Sequence, residues 1–257
     1  MKHRFLILTS LLFTHTLAMA APITYFQNEQ KLDGQFLKAP KKNQPGIVLI
    51  HNWMGITKET EKQAQRFHDL GYNVFVADIY GAGIRPKNQQ EAGALAGKYK
   101  GDRKLLRSRV VAAIETLHKQ PGVNSQQTAV IGYCFGGTAA IESARSGASI
   151  SATISFHGGL DSPSPADGAN IKAKILALHG AIDPYVSAAD LNAFEKELQT
   201  HQINYELIKY SNTVHSFTDQ GAGTDNSKGA AYNEESDRKS FARATDFLKE
   251  EAFKNEK

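Results

Sequence analysis

The sequence predicts an α/β fold, a mostly parallel central sheet with helices on both faces. Three observations predict it. Short apolar runs bounded by turn signals alternate with helical stretches along the 257 residues. One run, Ile47-Val48-Leu49-Ile50, is continuous rather than alternating, the pattern of a strand buried on both faces. Finally, Gly132-Tyr133-Cys134-Phe135-Gly136-Gly137 links the apolar run Thr128-Ala129-Val130-Ile131 to a small-residue helical stretch through a tight turn. A composition of 41% hydrophobic and 22% charged residues suits one domain with a sizeable core.

At the front, Lys2 and Arg4 precede an apolar run at residues 5–13, and Leu17-Ala18-Met19-Ala20 ends in the small-x-small pattern that signal peptidase cuts. Residues 1–20 therefore read as a signal peptide cleaved after Ala20, and residues 21–257 as a single exported domain, periplasmic or secreted. The run is too short to span a bilayer and is broken by Thr14-His15-Thr16, so no stable membrane span is expected in the mature chain. Removing residues 1–20 takes away two basic residues and lowers the formal charge from +4 to +2. The remaining basic residues are interspersed with acids, which argues against a nucleic-acid partner.

In the mature chain, residues 23–26 and 35–37 read as antiparallel edge strands with Lys31-Leu32-Asp33-Gly34 as their turn. The buried strand at 47–50 runs into His51-Asn52-Trp53-Met54-Gly55, then a helix that Thr57 caps and Gly71 ends. A strand at 74–77 is followed by a long loop through Arg85, helices at 89–98 and 104–118, and a stop at Pro121-Gly122. The strand before Cys134 and its helix come next, then strands at 150–156 and 175–178, a helix at 188–200 and a strand at 205–208. A Gly-, Asp- and Ser-rich loop at 220–229 and a last helix at 234–253 complete the order.

Cys134 is the chain's one cysteine, so an internal disulfide is excluded. A free cysteine is more often a small buried hydrophobe. Between glycines, after a strand and at a helix N-terminus, it instead reads as a nucleophile on a strained turn, where free N–H groups and the helix dipole favour the thiolate. A thiol nucleophile needs a histidine to hold its proton and an acid to orient that histidine. With nine histidines, chain order must discriminate, and the order nucleophile, acid, histidine selects Asp183, after the 175–178 strand, and His215, after the 205–208 strand. The oxyanion donors are expected to be the backbone N–H groups of Phe135 and Trp53. His51, Asn52, Tyr80, Arg85 and His157 stand at strand carboxyl ends and are the candidates for the substrate pocket.

Gly132-Tyr133-Cys134-Phe135-Gly136-Gly137, His179-Gly180 with Asp183-Pro184, and Val214-His215-Ser216-Phe217 together resemble the motifs of the dienelactone hydrolases, members of the α/β-hydrolase superfamily with a Cys-His-Asp triad. The resemblance spans residues 23–253. It implies that Cys134 attacks an ester or lactone carbonyl, that His215 shuttles the proton and that Asp183 orients His215. The chain departs from that family at three places. Asn52 stands at the position of a glutamate that engages the thiol, and Ala82 and Asp219 stand at positions of arginines that hold the dienelactone carboxylate.

The resulting expectation is an exported monomer that cleaves a small ester or lactone other than dienelactone through an acyl-cysteine, with no metal or organic cofactor. Neutral or cationic acyl groups are the expected preference. The alternative is a non-hydrolytic small-molecule-binding or thiol-redox protein on the same fold, which the change to Asn52 favours.

Overall fold

The structure, a computed structural model, describes residues 20–254. The expected signal peptide lies outside the described residues except for Ala20, and the first strand begins directly after it.

Eight strands form one sheet: β1 (Ala21–Gln27), β2 (Gln30–Leu37), β3 (Gln44–Ile50), β4 (Asn73–Ala77), β5 (Val123–Tyr133), β6 (Ala152–Phe156), β7 (Lys174–Gly180) and β8 (Tyr205–Tyr210). Their order is β1-β2-β4-β3-β5-β6-β7-β8, with β1 and β2 antiparallel to their neighbours and the rest parallel. The helices are α1 (Lys58–Asp69), α2 (Gln89–Gly101), α3 (Arg103–His118), α4 (Phe135–Arg145), α5 (Ala188–Thr200) and α6 (Glu234–Phe247).

Alternation along the strands divides the core into two layers. Ile47 and Leu49 of β3 pack with Ala64 and Phe67 of α1 and Ala244 and Phe247 of α6. Val48 and Ile50 face the other way, into a layer filled from α2, α3, α4 and α5 by Tyr99, Val110, Ile141 and Phe194. Both faces of the sheet are thus covered, which is why residues 47–50 of β3 and 74–77 of β4 form continuous buried apolar runs.

The helix ends follow from local chemistry. Thr57 caps α1 in a reciprocal box with Thr60, and Ser187 does the same for α5 with Asp190. Asn88 and Asp102 cap α2 and α3 through their side-chain oxygens.

Two details differ from the sequence reading. The first hairpin turns at Asn28-Glu29, with Asn28 at φ 51°, and Lys31-Leu32-Asp33-Gly34 lie within β2. Leu32 is fully buried there, and Gly34 lets the strand pass over Phe75: a Cβ would stand 2.7 Å from the ring. The last helix does not run unbroken to Phe253. It widens at Leu248–Ala252 into a π turn closed by Phe253 N–H donating to Leu248 O at 2.9 Å. That turn brings Phe253 against Tyr72, with ring centroids 5.6 Å apart.

Candidate active site

Six strands end on one edge, and five deliver candidate residues there: His51 after β3, Cys134 after β5, His157 after β6, Asp183 after β7 and His215 after β8, while Asp78, the partner of Arg85, follows β4. The strand order reverses direction at β3, between β4 and β5, where such sheets open a crevice.

Cys134 sits at the apex of the turn between β5 and α4 with φ 56° and ψ −118°, a strained backbone for a residue with a Cβ. Two glycines make the turn possible. A Cβ on Gly132 would land on the Gly136 carbonyl oxygen, and one on Gly136 would land on the carbonyl oxygen of Ile50 in β3. The Cys134 N–H donates to Phe156 O at 3.0 Å, which ties the apex to β6.

His215 Nε2 lies 3.1 Å from Cys134 Sγ, and His215 Nδ1 lies 2.8 Å from Asp183 Oδ2. A carboxylate only accepts, so Nδ1 carries a proton. Asp183 is fixed in turn: its side chain is fully buried and its Oδ1 accepts from Tyr185 N–H at 2.8 Å. His215 is held through its backbone by the 220–229 loop, donating to Gly229 O at 3.2 Å and accepting from Ala231 N–H at 3.0 Å. That loop, expected as an irregular stretch, contains the 3-10 turns Gln220–Ala222 and Asn226–Lys228.

These contacts favour a thiolate beside an imidazolium. Burial pushes the Cys134 thiol up, but its bond to His215, the charge of His215 and the N–H groups of Phe135 and Trp53 outweigh it and bring the thiol below its ordinary value. Burial pulls His215 down, while the Asp183 carboxylate and the Cys134 sulfur overcome this and raise it to about 10. The Phe135 and Trp53 N–H groups therefore converge on the sulfur, from α4 and from the loop after β3.

A cavity of about 310 Å³ opens over the sulfur. Trp53, Cys134, Phe135 and His215 line it, together with Tyr185, Val186, Ser216 and Ala230 on one side and Ala96, Lys100, Thr138 and Gly159 on another.

The five residues expected in the pocket stand outside this lining and brace it. His51 is fully buried; its Nδ1–H donates to Asn52 O at 2.6 Å and its Nε2 accepts from Ile79 N–H at 3.3 Å. Burial, the largest influence, lowers it to about 4, so it is a neutral strut. Asn52 Oδ1 accepts from Met54 N–H at 2.9 Å, shaping the loop that presents the Trp53 N–H. Tyr80 donates its hydroxyl to Trp53 O at 2.8 Å. Arg85 is committed to Asp78 Oδ1 at 3.4 Å and to the carbonyls of Gly81 and Ile84. His157 is buried against the His215 ring, centroids 5.1 Å apart, with Nε2 2.8 Å from Thr218 Oγ1.

Ala82 and Asp219 are also absent from the lining. Ala82 N–H donates to Lys31 O at 3.0 Å, and Asp219 accepts from Gly221 N–H at 2.8 Å. A preference for neutral or cationic acyl groups therefore loses its basis at those two positions.

Lys100, Thr138, Gly159 and Tyr185 were missed by sequence reasoning. Thr138 carries a signal, since it stands one helical turn beyond Cys134. Ala96 and Lys100 share a face of α2 by their spacing, but nothing in the sequence places that face over Cys134.

Residues 33–252 match the sequence model of the dienelactone hydrolase family. The chain belongs to the dienelactone hydrolase family. Its membership makes it a hydrolase of the ester and lactone class. Among solved structures, m3DLH superposes with a TM-score of 0.86 at 31% identity, covering 90% of this chain and 97% of that one. A dienelactone hydrolase-like promiscuous phosphotriesterase, P91 from metagenomic libraries, gives 0.83 at 29% identity over the same shares. A Bradyrhizobium protein named "Probable 2-oxo-3-(5-oxofuran-2-ylidene)propanoate lactonase" is 29% identical over 183 residues, 67% of this chain and 73% of that protein.

Proposed function

We propose that this dienelactone hydrolase-family protein is exported and cleaves a small ester or lactone through an acyl-cysteine intermediate on Cys134. The observation that carries the reading is the continuous line from Asp183 Oδ2 through His215 to Cys134 Sγ, at 2.8 and 3.1 Å. The Cys134 thiolate attacks the carbonyl carbon, and the electron pair moves to the carbonyl oxygen, which the N–H groups of Trp53 and Phe135 receive. The tetrahedral intermediate collapses by expelling the alcohol oxygen, which takes the proton from His215 Nε2. In the second half, His215 removes a proton from water, the hydroxide attacks the thioester, and the thiolate leaves as the acid forms. Asp183 keeps Nδ1 protonated throughout and so aims Nε2 at the reacting atoms.

A thiolate leaves a tetrahedral intermediate more readily than an amine, which favours activated esters and lactones over amides. Export rests on Lys2, Arg4, the apolar run at 5–13 and Leu17-Ala18-Met19-Ala20, with β1 beginning at Ala21 supporting cleavage there.

The test is an aryl-ester assay of wild type and Cys134→Ala, combined with mass analysis of the mature protein. Wild type is expected to show a burst equal to the enzyme concentration, and Cys134→Ala to lose at least about 10³-fold in kcat/KM. Equal rates would overturn the mechanism, and a mature chain that retains residues 1–20 would overturn export.

A further inference from the structure

The cavity wall next to His215 carries an aromatic ring that the chemistry above does not use. Tyr185 lines the cavity, and its ring stands nearly perpendicular to that of His215, with centroids 5.2 Å apart and planes at 80°. Its backbone is fixed, because the Tyr185 N–H donates to Asp183 Oδ1 at 2.8 Å. Yet Tyr185 is 63% exposed. A ring that served only to pack against His215 would bury most of its area, so the open part of this one is surface offered to the cavity.

The rest of that wall is neutral. Val186 follows Tyr185, Ser216 follows His215, and Ala230 is bridged to His215 through the backbone. Lys100, the one charged lining residue outside the Cys134–His215 pair, comes from α2 with Ala96.

We propose that Tyr185 is a specificity-determining residue that holds the leaving alcohol of the substrate, so that the esters this protein prefers are those of phenols. The proposal rests on the hydrolase reading above, and proton delivery decides which part of the substrate reaches the ring. His215 Nε2 gives its proton to the leaving oxygen, so that oxygen comes within about 3 Å of Nε2. The carbonyl oxygen is turned to the N–H groups of Trp53 and Phe135 instead. The carbon attached to the leaving oxygen then lies among the residues around His215, and the acyl chain points away from them. An aromatic ring at that carbon meets Tyr185 in offset or edge-to-face contact and takes its exposed area out of water. A saturated group of the same size gains the area without the ring–ring contact, and a charged one finds no counter-ion among Tyr185, Val186, Ser216 and Ala230.

Two pairs of esters test this. In the first, one acyl group is joined either to a phenol or to a fluorinated alkyl alcohol of equal acidity and similar size, so that intrinsic reactivity cancels and the kcat/KM ratio reports the contact. In the second, the fluorinated alcohol is kept and the acyl group carries either a phenyl or a cyclohexyl ring. Wild type is expected to favour the phenyl ester of the first pair by about 10-fold. Tyr185→Phe keeps that ratio, Tyr185→Leu brings it towards one, and neither moves the ratio of the second pair. Each ratio is independent of the fraction of correctly folded enzyme. A Tyr185 that merely steadied His215 would slow both esters of the first pair alike in Tyr185→Leu and leave their ratio unchanged. That result would overturn the proposal, as would no phenyl preference in wild type, its loss in Tyr185→Phe, or a fall in the second ratio. If both esters of the first pair turn over through Cys134 without a phenyl preference, only the role of Tyr185 is wrong; if no ester is hydrolysed, the hydrolase mechanism falls with it.

Discussion

At Cys134 the same groups that position the sulfur also set its charge. The thiol lies below its ordinary value of 9.0 because His215, Phe135 N–H and Trp53 N–H together outweigh burial, and His215 keeps its proton to about 10. The sign of the pH dependence follows. In the proposed mechanism the nucleophile is deprotonated once pH rises through the lowered thiol value, and the proton for the leaving oxygen disappears as pH rises through about 10. Alkylation of Cys134 by a neutral reagent is expected to rise with a midpoint below 9.0, whereas hydrolysis also declines near 10. In His215→Ala the alkylation midpoint moves upward, because burial remains after the favourable partner has gone, and kcat falls by about 10²- to 10⁴-fold. An unchanged midpoint would mean that the thiol is not held by His215.

At the scale of elements, the loop after β3 is a built object rather than a connection. Tyr80 ties Trp53 O, Asn52 ties Met54 N–H and His51 bridges Asn52 O to Ile79 N–H, so that one backbone N–H is aimed at the sulfur. Tyr80→Phe removes one tie and leaves the ring packed on Phe135 and Tyr99. It is expected to lower kcat by about 10-fold with little change in KM, less than the 10²- to 10³-fold loss of a whole oxyanion donor. A change confined to KM would show that the loop serves binding instead.

The strands and the turn at Cys134 were legible because they are local patterns: an apolar run, a glycine pair, a residue order along the chain. The positions of Asp183 and His215 followed from the rule that sites gather at strand carboxyl ends. What the sequence concealed was the direction in which side chains point. Arg85 and His157 stand at the right edge but turn into Asp78 and Thr218, whereas Lys100 arrives from a helix that shares no strand end with the site. The first hairpin was misread for a similar reason. Lys31-Leu32-Asp33-Gly34 looks like a turn locally, and its pairing with residues 23–26 of β1 together with the burial of Leu32 makes it strand.

Across the whole molecule, α4 connects Cys134 to a charged anchor. Its far end carries Arg145, fully buried, which binds Glu142 at 2.8 Å and Glu197 of α5 at 2.5 Å. Arg107 of α3 joins Glu142 at 2.7 Å, so three helices meet in one network. Arg145→Met leaves Glu197 buried without its partner and is expected to cost about 3–5 kcal/mol in urea denaturation. Adding Glu197→Leu is expected to restore most of that loss, and failure to do so would place the damage in packing rather than in the stranded charge.

In the proposed chemistry the single thiolate has a further consequence for the life of the protein. A thiolate is the form that peroxides attack, and a sulfenic acid on Cys134 has no second cysteine in the chain with which to close a protective disulfide. Oxidation therefore proceeds until an outside thiol intervenes. Peroxide inactivation is expected to be one-to-one, slower at acid pH where the sulfur is protonated, and reversible by added thiol only in its early phase. In the proposed mechanism the group that attacks the substrate thus also sets how long each copy stays active.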